Sequence, residues 1–198
     1  MERRIRVEPQ RFHQAIVCLL IAVATPFSLA VRGAGIPVLS IPTNNVFIVT
    51  NAAYGAKGDG VTDDTAAIQS AIHDAHVANG GVVRVPSSSN AYMCGPLTME
   101  NNINLQIDAV ATLRLLPYAA TGGTPAYPGS DAAGRNPFVT IDTKHDVLIS
   151  GGGTIDGQGA AWWAAFDGGI ITSRPKCFIS PSSSDKVIIQ DLTLNNPP

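Results

Sequence analysis

Gly151-Gly-Gly-Thr-Ile-Asp-Gly-Gln-Gly-Ala-Ala-Trp-Trp163 is the stretch whose reading decides the fold. An interior glycine costs a helix roughly 1 kcal/mol against alanine, so this glycine density speaks against a helix here. It suits a short Thr-Ile-Asp strand that turns sharply through Gly157 and Gly159. The glycines permit close approach between stacked layers of chain, and Asp156 is placed to hydrogen-bond its own turn. Trp162 and Trp163 either pack over a corner or stack on sugar rings.

Upstream lies a second glycine-rich stretch, Tyr54-Gly-Ala-Lys-Gly-Asp-Gly-Val-Thr-Asp-Asp-Thr65. A helix follows it. Thr62 or Asp63 can cap its start, and Asp63 and Asp64 meet the positive end of its dipole. Ala67, Ile68, Ala71, Ile72 and Ala75 recur at helical spacing, and Gly80-Gly81 ends the helix. Beyond it the period changes to two. Short β-branched strands are expected at 46–50, 82–85, 102–107, 111–116, 138–141, 147–150, 177–179, 187–190 and 192–194. Three of them look alike, around Ile103, Val147 and Val187, at a spacing that suits one long or two short solenoid turns each. Hairpin dipeptides such as Asn-Gly are missing between the strands, which favours a parallel β-helix over a sandwich. The 117–137 segment, rich in Gly and Pro, reads as a long loop able to wall a groove.

Composition narrows the function. With 14% charged residues and a net charge of −2, the chain carries no nucleic-acid footprint and no disordered tail. Residues 1–30 read as a secretory signal: Arg3, Arg4, Arg6 and Arg11 precede an apolar run from Ala15 to Ala24, and Ser28-Leu29-Ala30 offers a cleavage site. Pro26 interrupts the run and it is short for a bilayer span, so no membrane association is expected after cleavage. Cys18 leaves with the signal. Cys94 and Cys177 then form one disulfide or stand as two buried thiols. Residues 31–45 read as a leader segment.

No metal or cofactor is expected. The 55–62 stretch lacks the Gly-Lys-Ser/Thr ending of a phosphate loop, and Asp59, Asp63 and Asp64 lack calcium-loop spacing. His73 and His76 have no third ligand nearby, and Thr154 breaks a calcium nonapeptide pattern. The adjacent carboxylates of Asp63-Asp64 point in different directions at a helix start, so they are not an acid/base pair.

The run from Tyr54 to Ile72 resembles the opening of the pectate-lyase-like superfamily. Tyr92-Met-Cys-Gly-Pro-Leu97 resembles the family's strand before the first full coil, and Ile103–Leu113 its "I-x-L-x-L-x-x-G-A-T-L" coil, with Val110 where Gly is commoner. Gly153–Gly159 with Trp162-Trp163, then Arg174-Pro175 and Val187–Pro197, are similar to family-28 glycoside hydrolases, the polygalacturonases. The resemblance implies an all-β, right-handed parallel β-helix with one N-terminal capping helix, incomplete at its C-terminus, over 46–198. It implies pectic polysaccharide as the substrate, and a monomer once completed by further coils. A lyase or rhamnogalacturonase on the same scaffold, or a non-catalytic binding module, are the alternatives. The family's catalytic motifs (Asn-Thr-Asp, Asp-Asp, Gly-His-Gly, Arg-Ile-Lys) lie downstream of its Asn-x-Pro, so no catalytic residue is assigned. Trp162 and Trp163 remain as candidate sugar contacts.

Overall fold

The computed structural model describes residues 36–129 and 134–198. The expected signal (1–30, with Cys18) and the start of the leader lie outside the described residues. From Pro37 onward the chain is one unit.

After β1 (Val46–Ile48) and helix α1 (Thr65–Val77), the strands visit three parallel sheets in strict rotation. The first sheet takes β2 (Gly81–Val85), β5 (Ile103–Ile107), β8 (His145–Ser150) and β11 (Asp185–Ile189), with β1 at its edge. The second takes β3 (Tyr92–Cys94), β6 (Thr112–Leu115), β9 (Thr154–Asp156) and β12 (Thr193–Asn195). The third takes β4 (Leu97–Thr98), β7 (Val139–Asp142) and β10 (Ile179–Ser182). This is a three-sided, right-handed parallel β-helix.

Register explains the core. Val83, Leu105 and Ile149 stack in one column, and Tyr92, Leu113 and Ile155 in another; all six are buried. Each such side chain is worth about 1.5–3 kcal/mol of burial. Ile103 pairs with Val147, and Val147 with Val187, so each expected step is a single coil. The extra length leaves as two excursions, 116–138 and 157–178, both between the second and third sheets.

Glycines matter where coils touch. A Cβ on Gly153 would run into the Ile107 side chain and the carbonyls of Asp108 and Ala111. One on Gly159 would strike the Pro197 carbonyl.

Three details differ from the sequence reading. Helix α2 (Gly159–Asp167) begins inside the glycine-rich stretch, so the chain has a second helix besides the capping one. Glycine at its first position lies before the helix interior, where the propensity cost falls. The strand expected at 177–179 starts later, at Ile179. Neither Thr62 nor Asp63 caps α1: the N-cap position is Asp64, no side chain caps the helix, and Asp63 accepts the amide of its first residue, Thr65, at 2.9 Å. Asp64 instead turns back and accepts from Lys57 N (2.6 Å) and Gly58 N (3.0 Å). Asp59 closes its own turn through Val61 N, Thr62 N and the Thr62 hydroxyl.

α1 sits across the first coil, with Ile68, Ala71, Ile72 and Ala75 buried. Among the described residues no helix is long and apolar enough to cross a membrane. Cys94 is a buried free thiol whose ionisation burial pushes far up, and Cys177 is free and half-buried.

Candidate functional site

The outer face of the second sheet carries polar side chains in register. Thr112, Thr154 and Thr193 form one column, and Arg114, Asp156 and Asn195 the next. The alternation that sends Leu113 and Ile155 inward necessarily turns these residues outward.

Two concavities lie on this face. The larger, about 430 Å³, is lined by Asp59, Gly60, Ser88–Ala91, Val110, Thr112 and Arg114. The smaller, about 140 Å³, is lined by Gly60, Met93, Arg114, Pro117, Thr121, Thr124 and Gln158. Gly60 and Arg114 belong to both, so the two form one groove. Pro117, Thr121 and Thr124 come from the long loop expected to wall a groove, and they do border this one.

Arg114 Nε donates to Asp156 Oδ2 at 2.9 Å. Asp156 Oδ1 accepts from Gln158 N (3.0 Å) and Asn196 Nδ2 (3.1 Å). The Gln158 bond is the own-turn contact expected of Asp156. The other groove carboxylate, Asp59, is held ionised. Hydrogen bonds from the Thr62 backbone, the Thr62 hydroxyl and the Val61 backbone lower its pKa to about 2.

The two excursions are fastened together by aromatic contacts. Trp162 is fully buried, edge-on to Tyr118 (6.1 Å) and Tyr127 (5.8 Å). Arg135 lies 5.2 Å over the Trp162 ring and donates to Tyr127 O and Gly129 O. Trp163 is 44% exposed, but the Arg174 guanidinium covers one ring face at 3.4 Å. Its Nε1 donates to Pro197 O. The Trp pair is therefore divided: Trp162 is packing, and only Trp163 keeps any surface for a sugar. His73 and His76 line neither concavity, whereas the 55–62 turn gives Asp59 and Gly60 to the larger and Gly60 to the smaller; among the described residues no group of three His, Cys, Asp or Glu is placed to hold a metal.

The family model for rhamnogalacturonase A/epimerase, pectate lyase-like, matches residues 49–106. A probable polygalacturonase from Vitis vinifera is 32% identical over 154 residues, covering 73% of this chain and 31% of that protein. The chain belongs to the polygalacturonase family of pectate-lyase-like proteins. It spans about a third of the length of that relative. The polygalacturonase of Erwinia carotovora ssp. carotovora shares the fold, with a TM-score of 0.59, 23% identity, and coverage of 82% of this chain and 45% of that one. Mannuronan C5-epimerase AlgE1 of Azotobacter vinelandii is 47% identical over 58 residues, covering 26% of this chain and 4% of the epimerase.

For a polygalacturonase-family chain, the residue missed at the sequence level is Arg114. It stands in a strand that reads only as alternation. The signal lies in register: β6 stacks on β9, which sets Arg114 beside Asp156.

Proposed function

We propose that this chain supplies the cap, the first coils and a groove wall of a polygalacturonase-like hydrolase acting on pectin. The observation that carries the reading is the polar groove on the second sheet, on a fold shared with polygalacturonases. Inverting hydrolysis of a glycosidic bond needs a protonated acid and an ionised base roughly 6.5–9.5 Å apart. The groove carboxylates do not fit those roles. Asp156 is bound by Arg114, Gln158 and Asn196, and Asp59 is too acidic to carry a proton near neutrality. On this reading the chain by itself is inactive, and its part is to bind and position acidic polysaccharide. Reducing-end release from polygalacturonate by the purified chain checks this: none is expected, and sustained release overturns it.

A second reading has local support. The match to a mannuronan C5-epimerase over 58 residues favours an acidic polysaccharide other than pectin, or elimination rather than hydrolysis. Absorbance from an unsaturated uronide product would select elimination. Export through residues 1–30 belongs to the same proposal. A mature N-terminus at Val31, read by mass spectrometry of secreted protein, supports it; retention of Met1 rejects it.

A further inference from the structure

Residues 195–198, Asn-Asn-Pro-Pro, end β12 and lie against the 157–178 excursion. Pro197 and Pro198 carry no N–H, and the Asn196 amide is taken by the Asn195 side chain at 3.0 Å. The backbone of this turn therefore offers the excursion acceptors, and the excursion meets each of them with a donor. Gly157 N donates to Asn195 O and Gly159 N to Asn196 O, both at 2.9 Å. Trp163 Nε1 donates to Pro197 O at 3.2 Å, and Arg174 Nη1 to the main-chain oxygen of Pro198 at 2.6 Å.

Arg174 is itself held by rings. Its guanidinium lies 3.4 Å from the centre of Trp163 and 4.9 Å from that of Phe166. Its Nε is buried and has no hydrogen-bond partner among the described residues. A cation stacked on aromatic faces and aimed at a backbone oxygen fixes position. The contact also has no slack. A Cβ on Gly157 would run into Asn196 O and the Pro198 ring, just as one on Gly159 strikes Pro197 O.

Trp162, one residue earlier, engages the other excursion. It packs edge-on against Tyr118 and Tyr127 and lies under Arg135. Adjacent helical positions are about 100° apart, so the two tryptophans reach different neighbours from one helix. That helix has nine residues and moves as a body. A shift of α2 that follows the 116–138 loop carries Trp163 away from Pro197 O. Their bond is already at the long end of the normal range, and it weakens with further separation.

We propose that α2 is a two-sided latch. Trp162 seats the groove-walling loop, while Trp163 and Arg174, with the amides of Gly157 and Gly159, hold the 195–198 turn by its oxygens. Loop and turn are therefore held or released together. The adjacent tryptophans then serve two parts of the chain itself, one each.

The test is amide hydrogen exchange, read by NMR on the full 198-residue chain and its variants. Gly157 and Gly159 report the turn. The Tyr127 amide, which donates to Pro117 O at 2.7 Å, reports the loop. Leu105, in the middle of the first sheet, reports the coil stack. Arg174→Gln should speed exchange at Gly157 and Gly159 about tenfold and at Tyr127 about threefold, with Leu105 unchanged. Arg174→Lys, which keeps the charge but loses the plane that lies on the rings, should fall between. Trp162→Phe should do the reverse, about tenfold at Tyr127 and about threefold at Gly159. Tyr118→Leu loosens the loop from its own side and carries this arm if Trp162→Phe does not fold. Unchanged exchange at Gly157 and Gly159 in Arg174→Gln overturns the hold on the turn. Effects confined to the mutated side overturn the coupling. Equal acceleration at Leu105 would mark a general loss of stability and overturn the latch as well.

Discussion

Among the described residues, each sheet edge at the N-terminal end of the coil stack has a partner, whereas at the other end β10, β11 and β12 are paired on one side alone. The first sheet is closed by β1, in register with β2 from Val46 to Ile48. The second is closed by a backbone bridge, with Asp64 N donating to Met93 O at 2.8 Å. The third is closed by a side chain: Gln69 Nε2 donates to Thr98 O and Gln69 Oε1 accepts from Thr98 N, both at 2.9 Å. At the far end, Ile189 is 42% exposed although its register partner Ile149 is fully buried. Leu194 is 50% exposed, opposite a buried Ile155. In the first sheet the strands at both ends are rich in β-branched residues, Val82, Val83 and Val85 in β2 and Val187, Ile188 and Ile189 in β11. Burial in a solenoid is therefore a property of having a neighbour on each side, not of the strand itself.

The strongest way to break this comparison is to truncate matching side chains. Leu105 lies between β2 and β8 and is fully buried, so Leu105→Ala should cost about 2–5 kcal/mol. Leu194→Ala, at the open end, should cost under about 1 kcal/mol. Urea unfolding measures both, and equal losses would refute the role assigned to stacking. Next in size is Gly153→Ala. Its new methyl would meet Ile107 and two carbonyls, an overpacking worth about 1–3 kcal/mol. A neutral result would mean that β9 can move away from β6, so the coil contact is loose.

How much of this was legible in the sequence depends on whether a feature is local. The buried face of α1 was: Ile68, Ala71, Ile72 and Ala75 all recur at helical spacing and all pack inward. The columns through Ile103, Val147 and Val187 were legible as a repeat. Whether each repeat held one turn or two was not, because hydrophobic period carries no information on excursions that leave the stack. α2 was hidden by counting glycines across 151–163 as one element, when Gln158, in the left-handed region, breaks it in two. Arg114 was hidden for a different reason. Every outward position of a half-buried strand is polar, and only the register of β6 on β9 singles one out.

A smaller effect tests the cap at a single residue. Gln69→Ala removes both bonds to Thr98 and reopens the edge of the third sheet. The expected loss is about 1–2 kcal/mol, with faster hydrogen exchange at the Thr98 amide. Unchanged exchange there would show that α1 covers the edge by packing alone.

The smallest effect is electrostatic and separates surface pairing from stacking. Burial raises the Asp108 pKa, but hydrogen bonds from Arg84 and Gln106, with the Arg84 charge, outweigh it and hold the carboxyl below its ordinary value. A depressed folded pKa contributes stability above the unfolded value of about 3.9, and that contribution is lost as pH falls through the lower folded value. Arg84 is nearly half exposed, so solvent screening keeps the contribution of the pair small. Wild type and Asp108→Asn should therefore differ slightly in melting temperature at pH 7, and the difference should shrink as the pH falls from about 4 through the lower folded value. The Leu105→Ala deficit should persist across the same range, because no proton is linked to it. A Leu105→Ala deficit that faded with Asp108 protonation would tie core stacking to the surface pair and undo the distinction between the two ends.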